Sequence, residues 1–241
     1  LAISIFGGDT DAPTDEESAA LWQKLGIPNS RIAYLGKEDN WWPAGGKHWG
    51  PQGPDTEIFY WTGKEKAPVD FDPKNTLWVE IWNNVFMEFR REKNDSKLLP
   101  LTKKNVDTGM GLERILAVVN NVSTVFETDL FEPLFQRLLK LGAPDYKRAD
   151  EKVQRAYRII ADHIKAAVFI VGDEHGVKPS NVDQGYIARR LIRRAIRFWR
   201  EFNTEESLCV PIADTVISLY QHTYPELRMN REKILQNFGH F

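Results

Sequence analysis

Asp107-Thr108-Gly109-Met110-Gly111-Leu112-Glu113-Arg114 leads straight into Ile115, Leu116, Val118 and Val119, so an extended segment passes directly into a helix. Two glycines bracket Met110 at the join. Without Cβ atoms there, another backbone or a ligand can approach closely, and Arg114, one turn into the helix, can offer a planar cation to phosphate or to an aromatic ring. The bare pattern also fits an ordinary strand-to-helix join with a solvated arginine.

Upstream, three apolar runs read as sheet: Thr56–Trp61, Thr76–Trp82 continuing to Phe89, and a short strand ending near Val106. The central run is nearly all large and apolar, which predicts a strand covered on both faces. Glu80, Asn83 and Asn84 interrupt it. Such groups need a hydrogen-bond partner, and core pairing and ligand binding fit this stretch equally well. Leu1–Phe6 suits a strand, and Asp15–Leu25 reads as a helix with acidic residues in its first turn and Gly26 past its end. Between Gly36 and Pro54 the chain is rich in glycine, proline and tryptophan, which predicts a long binding loop.

Downstream of a polar cluster at 120–123 the chain becomes helical: Thr128–Leu141, Glu151–Val171, Gln184–Phe202, Thr204–Gln221 and Pro225–Phe238. The third of these carries Arg189, Arg190, Arg193, Arg194, Arg197 and Arg200 with no acid between Gln184 and Arg200. Ile187, Leu191, Ala195 and Phe198 or Trp199 are expected to face a core. Stacked cations of one sign, arginine rather than lysine, favour a polyanionic partner over simple solvation. The preceding loop, Lys178 to Gly185, holds Asn181 and Asp183, which could read base edges or, by default, cap the helix.

Composition narrows the classes. The 241 residues are 42% hydrophobic and 27% charged, enough for one large or two ordinary folded domains and incompatible with disorder. A net charge of −2 confines any nucleic-acid surface to a local patch. The single cysteine, Cys209, allows no internal disulfide and fits a reducing cytoplasm. Ala166–Val171 is far too short to cross a bilayer, so no membrane association is expected. No P-loop, dinucleotide fingerprint, nucleophile elbow or metal-ligand spacing of the five histidines is present. His163, after Asp162, is expected to satisfy a local hydrogen bond. Two glycosylation sequons, Asn94-Asp95-Ser96 and Asn121-Val122-Ser123, read as chance.

Six ordered blocks then carry a resemblance: Asp39-Asn40-Trp41-Trp42, Gly50 to Tyr60, Val79 to Met87, Val106 to Arg114, Arg158 to Ile164, and Pro179-Ser180-Asn181 through Gly185-Tyr186 to Arg193-Arg194-Ala195. In that order they strongly resemble the alanyl-tRNA synthetase family, over nearly the whole chain. The resemblance implies an α+β fold: a class II synthetase-like antiparallel sheet portion at 1–121, the C-terminal part of the aminoacylation domain, then an all-helical tRNA-recognition domain at 122–241. It implies ATP with Mg2+, alanine and the acceptor stem of alanine tRNA as partners.

The same resemblance supplies roles. Arg114 would be catalytic and, with Glu80, Gly109 and Gly111, hold the ATP side. Asp107 would receive the alanine ammonium, Asn83 would orient the amino acid, Trp42 and Val85 would wall a methyl-sized pocket, and Gly109 would let alanine lie close. Asn181 and Asp183 would stand at the acceptor-stem wobble pair, with Arg189, Arg190, Arg193, Arg194 and Arg197 near the phosphates, as suits the shallow minor groove of RNA. No resident metal is expected. A methyl pocket discriminates poorly against glycine and serine; the family answers with an editing domain, of which these residues show no trace.

The chain also departs from the family. Where the family commonly has Gly-Pro-Cys-Gly-Pro-Cys it has Gln52 and Asp55, which removes the case for a metal or thiol there, and Lys47, His48 and Trp49 remodel the approach. The family's first two motifs would precede Leu1. The chain therefore reads as a piece of a longer ligase that does not activate alanine by itself, the alternative being a stand-alone tRNA-binding or regulatory module derived from a synthetase.

Overall fold

The computed structural model describes residues 1–44, 49–92 and 97–241, and the chain divides into two compact units, Leu1–Val125 and Phe126–Phe241. Lys47, His48 and the Asn94-Asp95-Ser96 triplet lie outside the described residues.

In the first unit, β1 (Ala2–Phe6), β2 (Ile32–Leu35), β3 (Trp41–Pro43), β4 (Gly50–Trp61), β5 (Trp78–Arg91) and β6 (Leu99–Met110) form one sheet, ordered β2-β1-β4-β5-β6 with β3 beside β4. The expected antiparallel sheet is corrected at one edge. β1 and β2 run parallel, because helix α1 (Glu16–Lys24) intervenes between them and returns the chain to the same end. Asp15 caps α1, accepting from Ser18 N–H at 3.0 Å. The helix packs Ala19 and Trp22 over Ile3, Ile5 and Ile32, so one face of β1 and β2 is core.

The expected loop from Gly36 to Pro54 is also corrected: it contains β3 and the first half of β4. Trp41 provides the reason. Its ring lies 5.1 Å from Phe6 and 5.9 Å from Phe89, and its Nε1 donates to Gln52 Oε1 at 3.0 Å. Prolines are tolerated here because the β4–β5 register slips between Gln52 and Asp55. At the slip the backbones nearly touch: a Cβ on Gly53 would sit 1.9 Å from the Phe86 carbonyl oxygen.

β5 was expected to be covered on both faces, yet only Trp78 and Val85 are buried and the rest is half-buried or more open. α1 lies over β1 and β2, not over β5. β6 is exposed along most of its length, and Pro100, Lys103 and Lys104 suit an outer strand that must not recruit another. Gly111 then opens α2 (Leu112–Val119), which ends at Asn120 before Asn121 turns left-handed at φ +52°.

The second unit contains α3 (Glu132–Lys140), α4 (Glu151–Gly172), α5 (Asp183–Trp199), α6 (Cys209–Tyr220), α7 (Pro225–Met229) and α8 (Arg231–Phe238), with no strand. α4 is the central element: Tyr157, Ile160, Ile164, Val168 and Val171 are fully buried, each of the aliphatic ones contributing about 1.5–3 kcal/mol. α6 starts five residues later than expected because Asn203 turns left-handed and Trp199 Nε1 ties the loop through Glu206 O at 2.9 Å. α3 likewise starts after a turn at Thr128–Phe131. The expected last helix is two, divided at Asn230, whose Nδ2 donates to Gly172 O at 2.9 Å. Among the described residues no helix is long and apolar enough to cross a membrane.

The backbone crowding at Gly53 makes it testable. Gly53→Ala should lower the stability of the first unit by about 2–3 kcal/mol in a denaturant titration, whereas Gly36→Ala, where a Cβ meets nothing within 4 Å, should change it little.

Candidate functional site

The sheet face opposite α1 gathers polar groups from four strands. Directly paired strand residues share a face, and the register places Ser4, Glu57, Asn83 and Gly109 in one cross-strand row. Asp55, Val85 and Asp107 form the next row. Strand alternation sets Trp42 with Asn40 and apart from the core-facing Trp41; Trp42 is 45% exposed.

A second register slip completes the face. Ile58 pairs with Trp82 but Phe59 pairs with Glu80, leaving Ile81 as the extra residue of a bulge. Without it, Glu80 would point to the opposite side; with it, Glu80 joins Glu57 and Asp55. Arg114 reaches across from α2 and donates to Glu80 Oε2 at 2.5 Å and to Glu80 O at 3.2 Å. A Cβ on Gly111 would press on the Arg114 side chain at 3.2 Å, and one on Gly109 would meet nothing within 4 Å. Gly111 thus makes room for Arg114, and Gly109 leaves open space above the row.

The three polar residues of β5 separate into two kinds. Asn84 is satisfied within the sheet: its Oδ1 accepts from Thr108 Oγ1 at 3.0 Å and Trp82 Nε1 at 3.2 Å. Asn83 faces the acids, donates through Nδ2 to Glu57 Oε1 at 3.5 Å, and keeps a buried Oδ1 with no partner. Asp107 is exposed, its Oδ1 accepting from the Thr108 N–H at 2.8 Å.

The sequence alone singles out neither Ser4, Asn40 nor Glu57 of this face, and Asp55 only as a departure from the family. Asn40 is fully buried and donates to Ser4 Oγ and to Asp55 Oδ1, both at 2.9 Å; Ser4 Oγ donates to Glu57 Oε2 at 3.2 Å. Burial pushes the Asp55 carboxyl up to about 6, with the Asn40 and Asn83 amides pulling it back. Burial, with the charges of Glu80 and Asp55, pushes Glu57 up to about 7. The only available signal was the Asp-x-Glu alternation at 55 and 57, which puts two carboxylates on one side of a strand. Among the described residues no three His, Cys, Asp or Glu side chains are grouped to hold a metal ion.

In the second unit, α5 buries Ala188, Ile192, Ala195 and Trp199, one position round from the expected Ile187 and Leu191; Ile187 is 54% exposed. That rotation exposes Arg190, Arg193, Arg194, Arg197 and Arg200 and half-buries Arg189. They line a groove of about 1230 Å³ whose other wall is Asn237, His240 and Phe241 at the end of the chain. Among the described residues, none of these six arginines pairs with an acid; Glu201, also in the groove, pairs with Lys152 at 3.1 Å. The capping default for Asn181 and Asp183 is corrected. Val182 is the N-cap and no side chain caps it. Arg189 instead donates to Asn181 Oδ1, and Asp183 opens the helix at φ +47°, exposed. His163 Nδ1 lies 2.9 Å from Asp162 Oδ2, the expected local contact.

The raised carboxyls give a pH signature with a definite sign. Both folded-state values lie above the ordinary 3.8 and 4.5, so the stabilisation is full at low pH and is lost as pH rises through 6 and 7. From pH 5 to pH 8 the first unit should lose on the order of 2 kcal/mol, less than the bare shift because Glu57 keeps some solvent contact. Glu57→Gln should flatten that slope in chemical denaturation.

A family model described as tRNA synthetases class II (A) matches residues 8–239. The chain is 44% identical over 237 residues to the alanine–tRNA ligase of Borrelia hermsii, 41% over 241 residues to that of Treponema pallidum, and 39% over 250 residues to that of Myxococcus xanthus. These alignments take in 97%, 99% and 100% of the chain but 39%, 39% and 27% of the relatives, so the chain spans well under half of their length.

Proposed function

The chain belongs to the class II tRNA synthetases, and from that membership we propose that it carries the alanine- and ATP-facing sheet and the tRNA-docking helices of an alanine–tRNA ligase. The supporting observation is the register of β5 with β6. It sets Val85 beside Asp107 and Asn83 beside Gly109, an apolar wall, an anion, an amide and an open position within two adjacent rows. That is the donor and acceptor set for a small α-amino acid: Asp107 for its ammonium, Val85 and Trp42 for its methyl, Asn83 for its polar end.

ATP belongs beside it, at the Glu80–Arg114 pair. The alanine carboxylate attacks the α-phosphate, so no side-chain nucleophile is required; the residues position the reactants and neutralise developing charge. Arg114 supplies the cation, and Glu80 fixes its guanidinium until phosphate competes for it. Mg2+ would enter with ATP as part of the substrate.

The helical unit, 126–241, is the tRNA-recognition part in this reading. The arginine groove of α5 takes acceptor-stem phosphates, and Asn181, bonded to the groove residue Arg189, with Asp183 in the same loop, would meet a minor-groove edge. Likeness to the ligases extends across both units, which favours this reading over a stand-alone RNA-binding module. A cytoplasmic site of action goes with it.

Two experiments test the assignment. In the full-length gene product, Asp107→Asn should raise the alanine KM by about 30–100-fold, the worth of one charge-assisted hydrogen bond, with little effect on the ATP KM. Arg114→Ala should cut alanine-dependent ATP–pyrophosphate exchange by about 100-fold or more. Separately, replacing Arg190, Arg193 and Arg197 with Ala should reduce the slope of log affinity for alanine tRNA against log salt by about 2; an unchanged slope would return α5 to a merely solvated helix.

A further inference from the structure

Asn83 is held in a way that dictates which end of its amide a ligand meets. A carboxamide has donors at one end and an acceptor at the other. The donor end of Asn83 is turned to Glu57 Oε1, 3.5 Å away. The opposite orientation would set a carbonyl oxygen against the Glu57 carboxyl. Oδ1 is consequently turned away from that acid, and it is buried with no partner.

Glu57 is itself held from behind. Ser4 Oγ donates to its second oxygen at 3.2 Å, and Asn40 Nδ2 donates to Ser4 Oγ and Asp55 Oδ1 at 2.9 Å. Asn40 and Ser4 thus hold Glu57 from the β1 side, while Asn83, paired across the ladder with Gly109, donates to Glu57 from the other. An unpaired buried acceptor costs stability and calls for a donor. The group that meets it has to bring N–H or O–H bonds, and the exposed Asp107 carboxylate one row away calls for positive charge as well.

We propose that Glu57 is a positioning residue which locks the Asn83 amide so that Oδ1 accepts a hydrogen bond from the ammonium group of the bound amino acid, completing with Asp107 a two-acceptor cradle. The inference rests on the amino-acid reading of this face given above. It separates two jobs: Asp107 attracts the charge, and the Asn40–Ser4–Glu57 chain sets the direction from which the ammonium is met.

The test is amino-acid-dependent ATP–pyrophosphate exchange by the full-length gene product, with alanine and ATP titrated separately. In Glu57→Gln the new amide offers an N–H to Asn83, which turns over and presents its own NH2 to the ligand. The alanine KM should rise at least tenfold, with kcat and the ATP KM within about twofold. Adding Asn83→Asp to Glu57→Gln gives an oxygen toward position 57 and an oxygen toward the ammonium, and should recover most of the lost alanine affinity. A merely structural role for Glu57 would not be rescued by that exchange. An unchanged alanine KM in Glu57→Gln, or no recovery in the double variant, overturns the proposal. Should Glu57→Gln not fold, as judged by circular dichroism, Ser4→Ala takes its place; it frees Glu57 Oε2 and must raise the alanine KM severalfold while sparing ATP, and an unchanged alanine KM there also overturns the proposal. Asp107→Asn distinguishes the levels: if it too leaves alanine binding unaltered, the amino-acid reading falls and this inference with it, whereas an effect at Asp107 with none at Glu57 removes this inference alone.

Discussion

The antiparallel pairing of β4, β5 and β6, with its two register slips, is the constraint on which the candidate site depends. Asp55, Glu57, Glu80, Asn83, Asp107 and Gly109 come from three strands, and only the ladder makes them neighbours. The slip at Gly53 lets β4 follow β5 with almost no space between their backbones, and the bulge at Ile81 turns Glu80 to the side where Arg114 can reach it. A regular ladder would keep the same sequence and lose the Glu80–Arg114 pair. Strand irregularities of this kind cost hydrogen bonds, and they are retained where they aim a side chain.

The two units carry different electrostatic environments. On the sheet, carboxyls are buried among amides and hydroxyls and are raised toward neutrality by desolvation, a setting that welcomes a cation and holds it in a defined direction. On α5 the cations are exposed and of one sign, a setting that attracts a polyanion at range and releases counterions when it docks. Arg189 belongs to neither group fully. It is half-buried and bonded to Asn181, so it orders the loop amide as well as adding charge.

How far the sequence could be read follows from the range of the interactions. Helix α1 with its acidic first turn, the long buried α4 and the strand-to-helix join at Gly109–Arg114 are written in local pattern. β3 and the first half of β4 were read as loop because glycine and proline dominate there locally. What makes them strands is distant: Trp41 against Phe6 and Phe89, and the backbone of β5 against Gly53. The parallel β1–β2 edge was missed for the same reason. At the site, Arg114, Asp107 and Asn83 were named through resemblance to a family; Ser4, Asn40 and Glu57 were not, and Asp55 only as a departure from it, since a buried polar chain across four segments leaves no periodic trace. On α5 the arginines were legible, but the buried stripe was set one residue off, because only packing against α4 decides between Ile187 and Ala188.

The central claim is that the face between Asn83 and Asp107 is built for an amino acid with a one-carbon side chain. The most direct measurement is ATP–pyrophosphate exchange by the full-length gene product with alanine, glycine, serine and valine compared at equal concentration. The account predicts exchange with alanine above glycine and serine by about 10–200-fold at most, the reach of a methyl pocket, and none with valine. Exchange that is absent with alanine, or as strong with valine, would contradict it.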